Sequence, residues 1–202
     1  MVNNINETPV ILSENNVSAD TLRFDAYENE TLQICLNISD PDNDVISISG
    51  LYSITGLGNL SVNENTTCFD YRSADGFIGT EVLLSIVCDN GSPSLCDTVV
   101  IIMNVRPQFI FSQVISPNGD GLNDVWIIGG LERFPNNEVT VFNRWGNIVY
   151  KAKGYDNVNT VWGGEQNSGQ NLTNNLVPDG TYFYIIELGN ESKLTGFVVL
   201  KH

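Results

Sequence analysis

The chain has 202 residues, 24 acidic against 9 basic, a formal net charge of −15 and 42% hydrophobic residues. That balance excludes a binder of nucleic-acid phosphates, which needs clustered Lys and Arg, while the apolar fraction suffices for packed cores in one large domain or two ordinary ones. No apolar run reaches the length of a membrane span, so an integral membrane position is not expected either.

The opening stretch, MVNNINETPVIL, lacks the basic region and apolar run of a signal peptide. The four cysteines, an even number, nevertheless suit an oxidising compartment. A piece excised from a larger exported protein reconciles the two, and that is the expectation.

From there on, short apolar or alternating runs separated by Gly, Asn, Asp and Pro dominate, and helical periodicity is hard to find. TLQICLNIS places Leu32, Ile34, Leu36 and Ile38 on one face of a strand. EVLLSIVC, CDTVVIIMNV, EVTVFN, GNIVYKA, GTYFYIIEL and LTGFVVL read as further strands. Turn signals every ten residues or so point to an all-β chain of two consecutive β-sandwich domains, which the resemblances below imply to be immunoglobulin-like. Composition breaks at NVRPQ, where Arg106-Pro107 ends an apolar strand. The expected domains are 1–106 and 111–202.

Four cysteines permit three disulfide pairings. Cys88 and Cys96 flank DNGSPSL, a turn-rich loop between two strands, where a bridge is easy. Cys35 and Cys68 are both out of phase with their apolar neighbours, so they are expected on the outer face of a sheet, bridging adjacent strands. Free thiols or a metal are the alternative, and zinc lacks CxxC or histidine partners. Asp40, Asp42 and Asp44 alternate along DPDND, with Glu28 and Asp89 elsewhere. Oxygen ligands at that spacing suit Ca²⁺, although an ordinary exposed turn has the same composition.

YENETLQICLNISDPDNDVISI, the Phe77–Thr80 stretch and the CDNG hairpin resemble the cadherin-like and related immunoglobulin-like repeats of large bacterial surface proteins, over about residues 7–105. In the second half, SPNGDGLND (116–124), a W-I-I strand from Trp126, FPNN (134–137), VFNRWGNIVY (141–150) and PDGTYFY (178–184) follow in order. This succession closely resembles the gliding-motility-associated C-terminal domain, with one departure: Trp162-Gly163-Gly164 stands where the family usually has Trp-Asp-Gly. The resemblance implies a sorting role, in which the type IX secretion translocon and its outer-membrane β-barrel accessory proteins read the domain. It also implies a cell-surface, extracellular destination and a cargo such as an adhesin of the gliding apparatus.

Within SPNGDGLND two readings stand side by side. Gly119 and Gly121 admit positive φ and the Asn and Asp side chains bond their own backbone, giving a self-supporting turn. Alternatively Asn118, Asp120, the Leu122 carbonyl and Asp124 surround Ca²⁺, without the Glu that closes an EF-hand. Asn143, Arg144, Trp145 and Gly146 form an expected hairpin turn, and Pro178, Asp179 and Gly180 a turn launching the strand of Tyr182. Trp126 and Trp162 are expected near the ends of the sandwich. These turns, with Lys201 and His202, are the candidate recognition residues. A terminal hairpin through Asn190-Glu191-Ser192 is expected to expose an edge for strand addition.

The single histidine is His202, so a Ser-His-Asp or Cys-His arrangement has no plausible base. Neither a P-loop nor a dinucleotide glycine motif occurs, and no catalysis is expected. A carbohydrate- or surface-binding sandwich, using exposed aromatics for stacking, is the alternative.

Overall fold

The computed structural model describes residues 5–64, 66–169, 176–189 and 192–202. Among them there is no α-helix, only strands, turns and one 3-10 turn at Leu131–Arg133. The chain divides into two units, Met1–Gln108 and Phe109–His202.

The first unit contains β1 (Val10–Leu12), β2 (Thr21–Tyr27), β3 (Thr31–Cys35), β4 (Asn37–Ser39), β5 (Ser47–Ser53), β6 (Gly58–Val62), β7 (Cys68–Ser73), β8 (Gly79–Cys88) and β9 (Cys96–Arg106). The two larger sheets have the orders β2-β9-β8-β5 and β3-β7-β6, and β1 and β4 form a separate pair. Period-two alternation sends Leu83 and Val87 of β8, Val99, Ile101 and Met103 of β9, and Phe69 and Tyr71 of β7 into a shared, fully buried core. The single strand expected over TLQICLNIS breaks at Leu36. There the backbone N–H makes one more bond in the β3–β7 register, to Thr67 O at 2.9 Å, and beyond it β4 pairs with β1 instead.

Cys35 stands directly opposite Cys68 in the β3–β7 register, and Cys88 opposite Cys96 in the β8–β9 hairpin. Each pair is bonded, in the pairing expected from strand phase. Glu81 projects into the core, where the Tyr71 and Ser53 hydroxyls donate to its two oxygens at 2.6 Å each. Gly58 makes room for this group, since a Cβ there would lie 2.7 Å from both Glu81 Oε2 and Tyr71 Cε2.

The second unit contains β10 (Ile110–Phe111), β11 (Val114–Ile115), β12 (Ile128–Gly129), β13 (Glu138–Phe142), β14 (Ile148–Lys153), β15 (Gly180–Glu187) and β16 (Lys193–Leu200). A five-stranded sheet runs β11-β16-β15-β13-β14, and β10 pairs with β12. The second layer is this short pair together with the loops that carry Trp126, Leu131, Tyr155 and Trp162, all packed on the sheet's inner face. The strand expected from Trp126 contracts to Ile128–Gly129, because the Trp126 N–H donates to Trp162 O and the Ile128 N–H to Asn157 Oδ1, both at 2.8 Å. Trp126 and Trp162 are not end residues but the centre of the core. They meet edge to face at 6.3 Å and lie among Tyr150, Tyr155, Tyr182 and Tyr184.

The terminal hairpin forms in the register Gly180↔Leu200 to Glu187↔Lys193; Asn190 and Glu191 of its expected turn lie outside the described residues. It does not stand at the sheet edge as a free pair. β15 is interior between β13 and β16, and β11 pairs in parallel with Val199 and Leu200.

Candidate functional site

The turn between β13 and β14 is built by one side chain. Asn143 Oδ1 accepts the Trp145 and Asn147 N–H groups at 3.0 Å, and the Gly146 N–H closes on Asn143 O at 2.9 Å with Gly146 at φ 79°. The register slips after Val141, so Phe142 faces Ile148 across the turn. Burial has no use for Trp145 here. It is 69% exposed, and the Arg144 guanidinium sits 4.2 Å from its ring centroid.

Pro178–Tyr182 turns into β15 with its own supports. The Tyr182 hydroxyl donates to Pro178 O at 2.6 Å. Asp179 Oδ1 accepts the His202 backbone N–H at 2.9 Å, and the His202 ring Nδ1 lies 2.8 Å from the same oxygen. Those His202 contacts hold the Asp179 carboxyl below its usual range. Burial, then the charge of Asp179, pushes the Tyr182 hydroxyl up, against a smaller opposing effect of Arg144. The two turns converge: Asn143, Trp145, Gly146, Ile148, Pro178 and Tyr182 line one open cleft of about 690 Å³. The fold thus brings Asn143, Arg144, Trp145 and Gly146 together with Pro178, Asp179, Gly180, Tyr182 and His202. Lys201 is fixed by its backbone N–H on Ile115 O at 3.0 Å.

The SPNGDGLND loop closes on itself. Asp124 accepts the Gly119 and Gly121 N–H groups on its two oxygens at 2.7 and 2.8 Å, which holds its carboxyl low. Asp120 Oδ1 accepts the Leu122 N–H and Asn118 Oδ1 the Asp120 N–H. The Leu122 carbonyl takes the Ser116 hydroxyl at 3.4 Å. Gly119 and Gly121 stand at φ 80° and 86°, open to solvent. Every group expected to ligate calcium already serves as a turn acceptor.

In the first unit Asp40 Oδ1 likewise accepts the Asp42 and Asp44 N–H groups, and Asp42 Oδ2 the Glu7 N–H. Burial, then the charges of Asp40, Asp89 and Asp42, raises the Asp44 carboxyl. Among the described residues no three His, Cys, Asp or Glu side chains are grouped as ligands of one ion.

Two supports escape a reading of the sequence. Asp156 Oδ1 accepts the N–H groups of Val158, Asn159 and Thr160, holding its carboxyl far below the usual range, the Thr160 bond foremost. The Tyr155 hydroxyl donates to Trp126 O at 2.5 Å and accepts the Trp162 N–H at 2.9 Å. The Asp-x-x-x-Thr spacing of an Asx turn was the available signal for the first; nothing local marks the second.

Residues 109–200 match the family described as the CHU_C Type IX secretion signal domain. No curated protein matches the chain. Among solved structures, human CDH23 EC21-23 is 13% identical, covering 96% of this chain and 63% of that one at TM-score 0.40. Human mucin-like protocadherin EC1-2 is 17% identical, covering 52% and 56%, also at TM-score 0.40. A nucleoside hydrolase-related hypothetical protein from Saccharophagus degradans is 23% identical, covering 50% and 26% at TM-score 0.43. The chain thus spans between about a quarter and two thirds of these structures.

Proposed function

We propose, on the premise that the second unit is a type IX secretion signal domain, that this unit is read by the translocon and its outer-membrane accessory proteins and carries the attached polypeptide to the cell surface. The observation that supports a recognition site is the convergence of the 143–146 and 178–182 turns at one cleft, the second turn being tied to His202 through Asp179. Loops that no core demands, rigidly held and presenting an exposed Arg144–Trp145 pair, suit a machine that must read many cargoes through one folded tail. The first unit, a disulfide-tied sandwich, serves in this reading as a spacer repeat of a surface adhesin.

The test is export of a fluorescent reporter fused to residues 111–202 behind a Sec signal, in a bacterium with type IX secretion, beside a fusion to residues 1–110. Surface fluorescence from the first fusion alone is expected. Periplasmic retention of both overturns the reading. An exposed Trp145 over a cleft lined by Asn143, Asn147 and Gln166 also fits sugar stacking; specific glycan binding lost in Trp145→Ala would favour that second reading.

A further inference from the structure

One face of an antiparallel sheet packs on the core, and the other is ordinarily polar. The outer face of the five-stranded sheet departs from this. Phe142, Phe183 and Phe197 stand opposite one another on β13, β15 and β16, and Ile148 on β14 continues the row. Phe183 is 48% and Phe197 54% exposed. The row ends at β16, where β11 pairs only with Val199 and Leu200. The Val199 N–H points outward to Gln113 O at 2.8 Å. Strand alternation turns the Thr195 and Phe197 backbone groups to the same side, where β16 has no described strand partner.

We propose that the Lys193–Phe197 edge accepts an extended segment of a secretion-machinery protein, one that carries an apolar residue opposite Phe197 and an acidic residue opposite Lys193. An open strand edge is a template for one more strand, and a cross-strand apolar partner would cover the exposed end of the aromatic row. Charge selects the partner. The outer face carries Arg144, Lys151, Lys153 and Lys193 against Glu138 and Glu187, a cationic surplus on a chain of net charge −15. A second copy pairing through the same edge brings the same cationic surplus and is repelled, whereas an acidic segment is drawn to this face. The class of partner rests on the export reading above; the chemistry of the edge does not.

The experiment uses the full chain and a labelled peptide of alternating pattern, Val-Phe-Val-Thr-Val-Glu-Val, followed by fluorescence anisotropy. A control peptide has Lys in place of Glu. Binding of the Glu peptide is expected, with the Lys peptide at least about tenfold weaker, since like charges oppose on neighbouring strands. Thr195→Pro removes an outward N–H without touching the β15 ladder, and Phe197→Lys removes the apolar contact; each is expected to abolish binding. Phe197→Lys keeps the test decisive if Thr195→Pro does not fold. Equal binding of both peptides, indifference to Phe197→Lys, or self-association of the protein lost in Phe197→Lys overturns the proposal. Export of the wild-type 111–202 fusion unchanged by Phe197→Lys overturns the edge but leaves the sorting reading standing; failure of the wild-type fusion to export overturns the sorting reading.

Discussion

His202 is tied to Asp179 twice, through its backbone N–H and through its ring Nδ1, on one carboxylate oxygen. The pairing joins the PDGTY turn to the residues that follow β16, so two stretches far apart in sequence form one end of the second unit. Asp179→Ala removes both bonds at an exposed position. The expected outcome is a small drop in melting temperature and a larger loss of export of the reporter fusion. Unchanged export with confirmed release of His202 would show that the tie plays no part in recognition.

Trp145 and Trp162 make a matched contrast. Trp162 is fully buried and touches Trp126, Tyr150 and Tyr182; truncation to Ala is expected to cost about 3–5 kcal/mol, a large fraction of the about 5–15 kcal/mol of ordinary stability. Trp145→Ala is expected to shift stability by less than about 0.5 kcal/mol while lowering export. Thermal melts of both variants decide this, and a large loss of stability in Trp145→Ala would return that residue to a packing role.

How far the molecule was legible in its sequence follows from which interactions are local. Strands β8, β9, β15 and β16 could be read because period-two alternation is written along each of them, and the Cys35–Cys68 and Cys88–Cys96 pairs because strand phase and loop length limit the partners. The turns at 116–124, 143–146 and 178–180 carry their own Asn, Asp and Gly. Trp126-Ile127-Ile128 misleads for the opposite reason: its β-favouring composition is overridden by Asn157 and Trp162, which capture its N–H groups from about 30 residues away. The parallel docking of β11 on β16 and the shared cleft depend on such distant pairings, and no local pattern announces them.

Acid should weaken the second unit. Its Asp124, Asp156, Asp179 and Glu187 carboxyls are all held below their usual range, by backbone N–H groups in the first two, by His202 in the third and by Lys193 in the fourth. A depressed folded pKa means the unfolded chain takes the proton more readily. The stabilisation is therefore present above the unfolded carboxylate range of about pH 4 and lost as pH falls through the folded values. Asp44 in the first unit has the opposite sign: its raised carboxyl is relieved by protonation. Melts of the separate domains at falling pH are expected to show a drop below about pH 4 in the second; a pH-independent transition there contradicts it.

Reduction should act on the other unit. Both disulfides lie before residue 100, closing sequence separations of 33 and 8 residues. Loop-closure entropy assigns them about 3–4 and 2–3 kcal/mol respectively. Cys35→Ser with Cys68→Ser is expected to lower the first transition more than Cys88→Ser with Cys96→Ser, and a reductant to leave the second unit's transition in place. Equal loss in both units would mean that the two transitions are not independent.

The last test concerns SPNGDGLND. Asp124 gives both its oxygens to the Gly119 and Gly121 N–H groups, and those glycines occupy a left-handed conformation that L side chains adopt at a cost. If the loop is held by these bonds, Asp124→Ala should lower the second unit's melting temperature more than Asp124→Asn, which retains one acceptor. Gly121→Ala should lower it too, although a Cβ there meets open space, because the strain lies in φ and not in packing. Millimolar calcium or a chelator should move none of these melts. A rise with calcium that disappears in Asp124→Ala would instead make the carboxylate a ligand, and the turn a site that rearranges around the ion.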